Sequence, residues 1–274
     1  MGKISTTWIV TLVILGLLMI FVVPFIISLI SSIINIIPPP GKIRGKRAVI
    51  VDTVCLAHPN DESIKYVYNI LKENKFEVEI FVGKNVTVKF MRSLALRNYS
   101  LVIFRVHSSY THYSMSFLPN NTVVIITGER YQINKYAAEQ LLEYLVPSSV
   151  VPELGIAFGY FAITPRFVEN MPGKFDNTVI ISMGCNTLYT PGMAKAFIDK
   201  GAKMYIGWDD YVSTEHMDKA LKLLIKLLLK DKLSIKEAIK KVNEVIGLDP
   251  YYKSKLVYYP LEYGDMTLED LLKP

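Results

Sequence analysis

Two stretches put a chemically capable residue directly after a strand-like apolar run. Leu101-Val-Ile-Phe-Arg-Val leads into His107, Ser108 and Ser109; Val179-Ile-Ile-Ser-Met leads into Gly184, Cys185, Asn186 and Thr187. A free thiol is only a few per cent thiolate at neutral pH, and a neighbouring imidazole can take its proton or stabilise the anion. The thiolate then attacks an acyl carbon, and the imidazolium protonates the leaving amine. The backbone N–H groups of Cys185 and Ser108 are expected to hold the oxyanion. Gly184 is expected to let the backbone turn sharply before the nucleophile. Taken singly, a buried Cys is commonly inert packing and a lone His commonly a structural group. The chemical reading comes from the conjunction of two such strand ends in one sheet.

His58 and His112 are the alternative bases. Cys55 and His58 make a second thiol–imidazole pairing, without a glycine before the thiol. Cys185, His107 and His112 form a conceivable metal set, but no ligand spacing supports it, so no metal is expected. No cofactor is called for either.

Positioning these residues requires a sheet. Apolar runs at 47–54, 77–82, 101–106, 122–127, 178–182 and 204–207 alternate with helical patterns at 61–74, 87–97, 133–145, 191–200, 213–230 and 234–246, and 255–259 reads as a last strand. The segment 150–172 reads as a hairpin or a long loop. Such alternation means an α/β fold with a doubly wound, mainly parallel sheet flanked by helices. Ligands then bind at the carboxyl ends of the strands, where His107 and Cys185 fall. No GxGxxG, GxxxxGK[ST] or GxSxG follows any strand, so nucleotide binding and a serine nucleophile elbow are unsupported.

The blocks LVIFRV-His107-Ser108 and VIISM-Gly184-Cys185 resemble the caspase-like cysteine peptidases: gingipains, clostripain, legumain, separase and caspases. That family carries an apolar block before His-Gly and a later one before Ala-Cys or Gly-Cys. The resemblance implies Cys185 as nucleophile and His107 as general base and acid. It also implies that Trp208 and Asp209, in the stretch AKMYIGWDDYVSTEHMD from Ala202, border the substrate pocket. Ser108 departs from the usual Gly, and Met183 stands where some basic-specific relatives carry Asp. Asp52, at the end of the first strand, is the acid left to such a pocket.

Upstream, no charged residue lies between Lys3 and Lys42, and Trp8 to Ile37 is almost wholly apolar. A bilayer core takes about 20 apolar residues, so this run is expected to span once, kinked at Pro24. It lacks the short apolar region and small-residue cleavage site of a signal peptide. Pro38, Pro39 and Pro40 end it. The expected organisation is 1–41, anchor and spacer, and 42–274, one caspase-like domain. Lys42, Arg44, Lys46 and Arg47 place the domain slightly in favour of the cytoplasm by the positive-inside rule and suit anionic lipid headgroups. Sequons at Asn85, Asn98 and Asn120 argue for the outside.

The net charge is +6, without the aromatic–basic interleaving that binds nucleic acid. Two cysteines, Cys55 and Cys185, make no disulfide framework. The tail from Tyr251 to Tyr263 reads as packing on the sheet edge, with a homodimer contact as the alternative. The leading function is a membrane-anchored cysteine endopeptidase with a polypeptide substrate. A catalytically inactive caspase-like domain that binds a protein or peptide is the second reading, and a ligand sensor without thiol chemistry the third.

Overall fold

The computed structural model describes residues 46–110, 118–148 and 159–273. The chain divides into Met1–Gly41 and Lys42–Pro274, and everything below concerns the second unit. The apolar run 8–37 lies outside the described residues, among which no helix is long and apolar enough to cross a membrane.

The core is a six-stranded sheet in the order β10-β9-β8-β3-β1-β2. Its strands are β1 (Arg47–Asp52), β2 (Glu77–Val82), β3 (Leu101–Arg105), β8 (Thr178–Met183), β9 (Ala202–Trp208) and β10 (Leu256–Tyr259). All neighbours run parallel except β10, which lies antiparallel on β9. β1, β3, β8 and β9 are buried on both faces, which is why they read as unbroken apolar runs instead of alternating ones.

Helices cover both faces. Ile50, Ile103, Ile181 and Met183 pack against α1 (Asp61–Glu73), α6 (Thr214–Leu229), α7 (Ile235–Ile246) and α8 (Leu268–Leu271). Val49, Val102, Phe104 and Ile180 face α2 (Val88–Ser93), α4 (Pro165–Glu169) and α5 (Gly192–Asp199). Strand order reverses at β1, with β2 to one side and β3 to the other. The loops after β1 and β3 therefore flank a topological switch point, where such sheets bind ligands.

A second, four-stranded antiparallel sheet was not legible in the sequence. It comprises β4 (Ser108–Tyr110), β5 (Val123–Arg130), β6 (Leu145–Ser148) and β7 (Tyr160–Ile163), in the order β4-β5-β7-β6. The run at 122–127 joins this sheet and not the parallel one. A short strand buried on both faces does not encode which sheet it joins. The helix expected at 133–145 shrinks to α3 (Ala137–Leu141). The apolar residues that suggested it are largely in solvent, Ile133 at 73% and Leu141 at 83% exposure. The tail 251–263 contributes β10, which pairs along β9 from Leu256–Trp208 to Tyr259–Tyr205.

Candidate active site

β3 and β8 are neighbours in register, Arg105 beside Met183, and the Val106 N–H donates to the Met183 carbonyl at 2.8 Å. His107 and Cys185 thus leave adjacent strands at the same edge. Strand alternation puts His107 on the side of Leu101, Ile103 and Arg105, and Cys185 packs against the core of that same side. The Ser108 hydroxyl donates to the Cys185 carbonyl and laces the two strand ends together.

Gly184 differs from the expected turn. Its φ is not positive; the left-handed residue is Asn186, with φ 58°. What requires glycine at 184 is close approach. A β-carbon there would overlap the Val106 carbonyl oxygen and stand 2.6 Å from Ser108 Oγ.

The thiol and the imidazole share no hydrogen bond in this state. The Cys185 thiol donates to the Val212 carbonyl at 3.5 Å. Burial pushes it above the ordinary thiol range, helped by the negative charges of Asp249 and Asp210. His107 is displaced the other way. Burial, then the positive charges of His58 and Arg105, lower it to about 4, so the imidazole is neutral at pH 7. Its Nε2 is buried without a partner, as are both amide atoms of the fully buried Asn186. Neutral His107 can accept a proton; a protonated, covered Cys185 has one to give.

Beneath them sits a charge cluster that the sequence reading missed. Arg105 is fully buried. Its Nε donates to Asp218 Oδ1 at 2.7 Å, and its Nη2 to Asp218 Oδ2 at 2.9 Å and to the His58 carbonyl at 3.1 Å. Its Nη1 reaches Asp52 Oδ1 at 3.0 Å and Oδ2 at 3.2 Å. The Asn60 amide adds a 2.7 Å bond to Asp218, and the Cys55 N–H a 3.0 Å bond to Asp52. This arginine fastens the end of β1, the loop 53–60 and α6 to the end of β3. The exposed His58 ring lies 6.5 Å from that of His107. A lone Arg inside an apolar strand was the available signal, because a buried guanidinium demands carboxylates.

The expected pocket residues are placed as follows. Asp52 is spent on Arg105 and is buried; burial pushes its carboxyl up against the pull of that guanidinium. Trp208 is a core residue, 1% exposed, with its indole N–H on the Met183 sulfur at 3.4 Å and its ring edge-on to His216. Asp209 is partly exposed and accepts the Lys255 N–H at 2.8 Å. Tyrosines crowd this edge: Tyr110 stacks on Tyr189 with centroids 5.1 Å apart and meets Tyr211 at 6.1 Å. Tyr211 sits beside Cys185, and burial raises its hydroxyl, with Tyr110 and Cys185 adding to the effect. Asp249 holds the neighbouring loop by accepting from the Ser213 N–H and hydroxyl and from the Tyr251 and Tyr252 N–H groups.

Cys55 is partly buried; its thiol donates to the Asp52 carbonyl at 3.2 Å, and burial, then Asp52, raise it. His112 lies outside the described residues. Among the described residues no group of three or more His, Cys, Asp or Glu side chains could hold a metal ion. No protein-family model matches the chain, and no characterised protein matches it in sequence.

Proposed function

We propose that this chain is a membrane-anchored cysteine endopeptidase in which His107 takes the proton of Cys185 as the thiol attacks a peptide carbonyl. One observation carries the reading: the two residues leave adjacent parallel strands, on one face, at the carboxyl edge beside the switch point. The neutral imidazole with an unpartnered Nε2 supports general-base catalysis over a pre-formed thiolate–imidazolium pair. Catalytic hydrogen bonds commonly tighten only when substrate binds, and a carbonyl seated at Cys185 would compete with Val212 for the thiol. The anchor at residues 8–37 would confine cleavage to polypeptides on the same membrane and raise their effective concentration. The test is digestion of a peptide library by the full chain and by Cys185→Ala. Cleavage lost in the variant supports the reading; cleavage by neither overturns it.

A second reading is favoured by the bond from Cys185 to Val212 and by the raised thiol. In it the same edge is a binding cleft without thiol chemistry, and a peptide ligand would bind Cys185→Ala as well as it binds the unmodified protein.

A further inference from the structure

A cavity of about 330 Å³ opens at the opposite edge of the sheet, where the strands begin. Its floor is apolar, with Phe76, Leu228 and Leu272, and its rim carries Lys46, Lys75 and Lys232. The carboxylates of this rim are engaged: Glu73 pairs with Lys230 at 2.8 Å, and Glu269 faces Lys232 at 4.0 Å. Among the described residues Lys46 and Lys75 have no carboxylate partner, and the Lys46 ammonium lies 5.8 Å from the centre of the Phe76 ring. Arg47, next in the chain, is committed to Glu79 and Glu77.

Three lysines around the mouth of the cavity suit a phosphate whose acyl chains remain in the bilayer outside it. Lys46 is also where the described fold begins. The apolar run ends nine residues earlier at Ile37, with Lys42 and Arg44 between, and nine residues reach at most about 30 Å. A bilayer holding that run keeps its headgroup layer within reach of the cavity. We propose that the cavity takes the phosphate headgroup of an anionic phospholipid from the membrane that anchors the chain. The proposal rests on reading residues 8–37 as an anchor, and it adds an orientation. The strands run about 20 Å from this edge to the one bearing His107 and Cys185. A domain docked on lipid through Lys46, Lys75 and Lys232 turns its candidate active site away from the bilayer, toward polypeptides that project from it.

The test uses the full chain in nanodiscs of phosphatidylcholine, with and without phosphatidylglycerol. Amine acylation is followed lysine by lysine by mass spectrometry. Phosphatidylglycerol is expected to slow Lys46, Lys75 and Lys232 by about fivefold each and to leave Lys219 and Lys253 unchanged. In a Lys75→Glu, Lys232→Glu variant with an unchanged melting temperature, Lys46 is expected to lose its protection. Entry into discs without selective protection, or protection of Lys46 that survives in the variant, overturns the cavity alone. Equal protection by inorganic phosphate in pure phosphatidylcholine overturns the lipid as its source. Failure of the chain to enter either disc overturns the anchor itself.

Discussion

Gly184 and Val106 meet backbone against backbone where β8 and β3 end, with no room for a side chain between them. That contact sets how closely the strand end bearing Cys185 approaches the one bearing His107. Gly184→Ala forces a β-carbon into the Val106 carbonyl and the Ser108 hydroxyl, neither of which is the loose end of a long side chain. Overpacking of this kind costs about 2–3 kcal/mol, and thermal melting will show the loss. Ser108→Ala relieves half of the clash, so the double variant is expected to recover part of it.

The cluster around Arg105 makes a second prediction. Arg105→Met leaves Asp52 and Asp218 buried beside each other without a cation, at a cost of about 3–5 kcal/mol. Asp218→Asn keeps the shape, Asp52 and the guanidinium, and is expected to cost less. Denaturant unfolding should therefore rank Arg105→Met as the more damaging change.

His107 couples stability to pH. Its folded value is lowered from 6.5 to about 4, so between those values the unfolded chain binds a proton that the folded chain refuses. Stability contributed by this group is complete above pH 6.5 and falls as the pH drops toward 4, by at most about 3 kcal/mol. His107→Gln is expected to flatten the stability curve in that window and leave it unaltered above pH 7, as read from urea midpoints.

Asn186 has a left-handed backbone and a fully buried amide without a partner. Glycine tolerates that backbone, and removing an unsatisfied buried amide recovers part of a cost of about 1–3 kcal/mol. Asn186→Gly is expected to be neutral or slightly stabilising in a thermal melt.

What was legible in the sequence follows from where each residue is buried. β8 stands out because a buried parallel strand is a short apolar block between breakers, β2 because it is a short β-branched run at the half-exposed sheet edge, and α7 because Ser234 and Glu237 form a capping box at its start. His107 and Cys185 were legible for the same reason, as polar residues at the ends of such blocks. The β4–β7 sheet was not, because pairing between distant strands leaves no local trace and β6 begins at Leu145, the last residue of a helical-looking pattern. The Arg105 cluster joins residues 53 and 113 positions apart; its arginine hides inside an apolar strand and Asp218 inside an amphipathic helix. Asp52 was chosen for its place at a strand end and Trp208 for its place in a family-like stretch; the structure buries both, Asp52 on Arg105 and Trp208 in the core.

The central claim is that His107 acts on Cys185 as a general base, and the rate of Cys185 alkylation against pH tests it most directly. The full chain carrying Cys55→Ser is to be compared with the same chain carrying His107→Ala. With His107 present, the rate is expected to hold a plateau from about pH 5 to pH 8 and to fall only as the imidazole protonates, since a neutral base assists a protonated thiol. Without it, the rate is expected to climb with pH as the bare thiolate forms, above the ordinary thiol range. Superimposable profiles with and without His107 would contradict the account and leave the binding cleft as the better description of this edge.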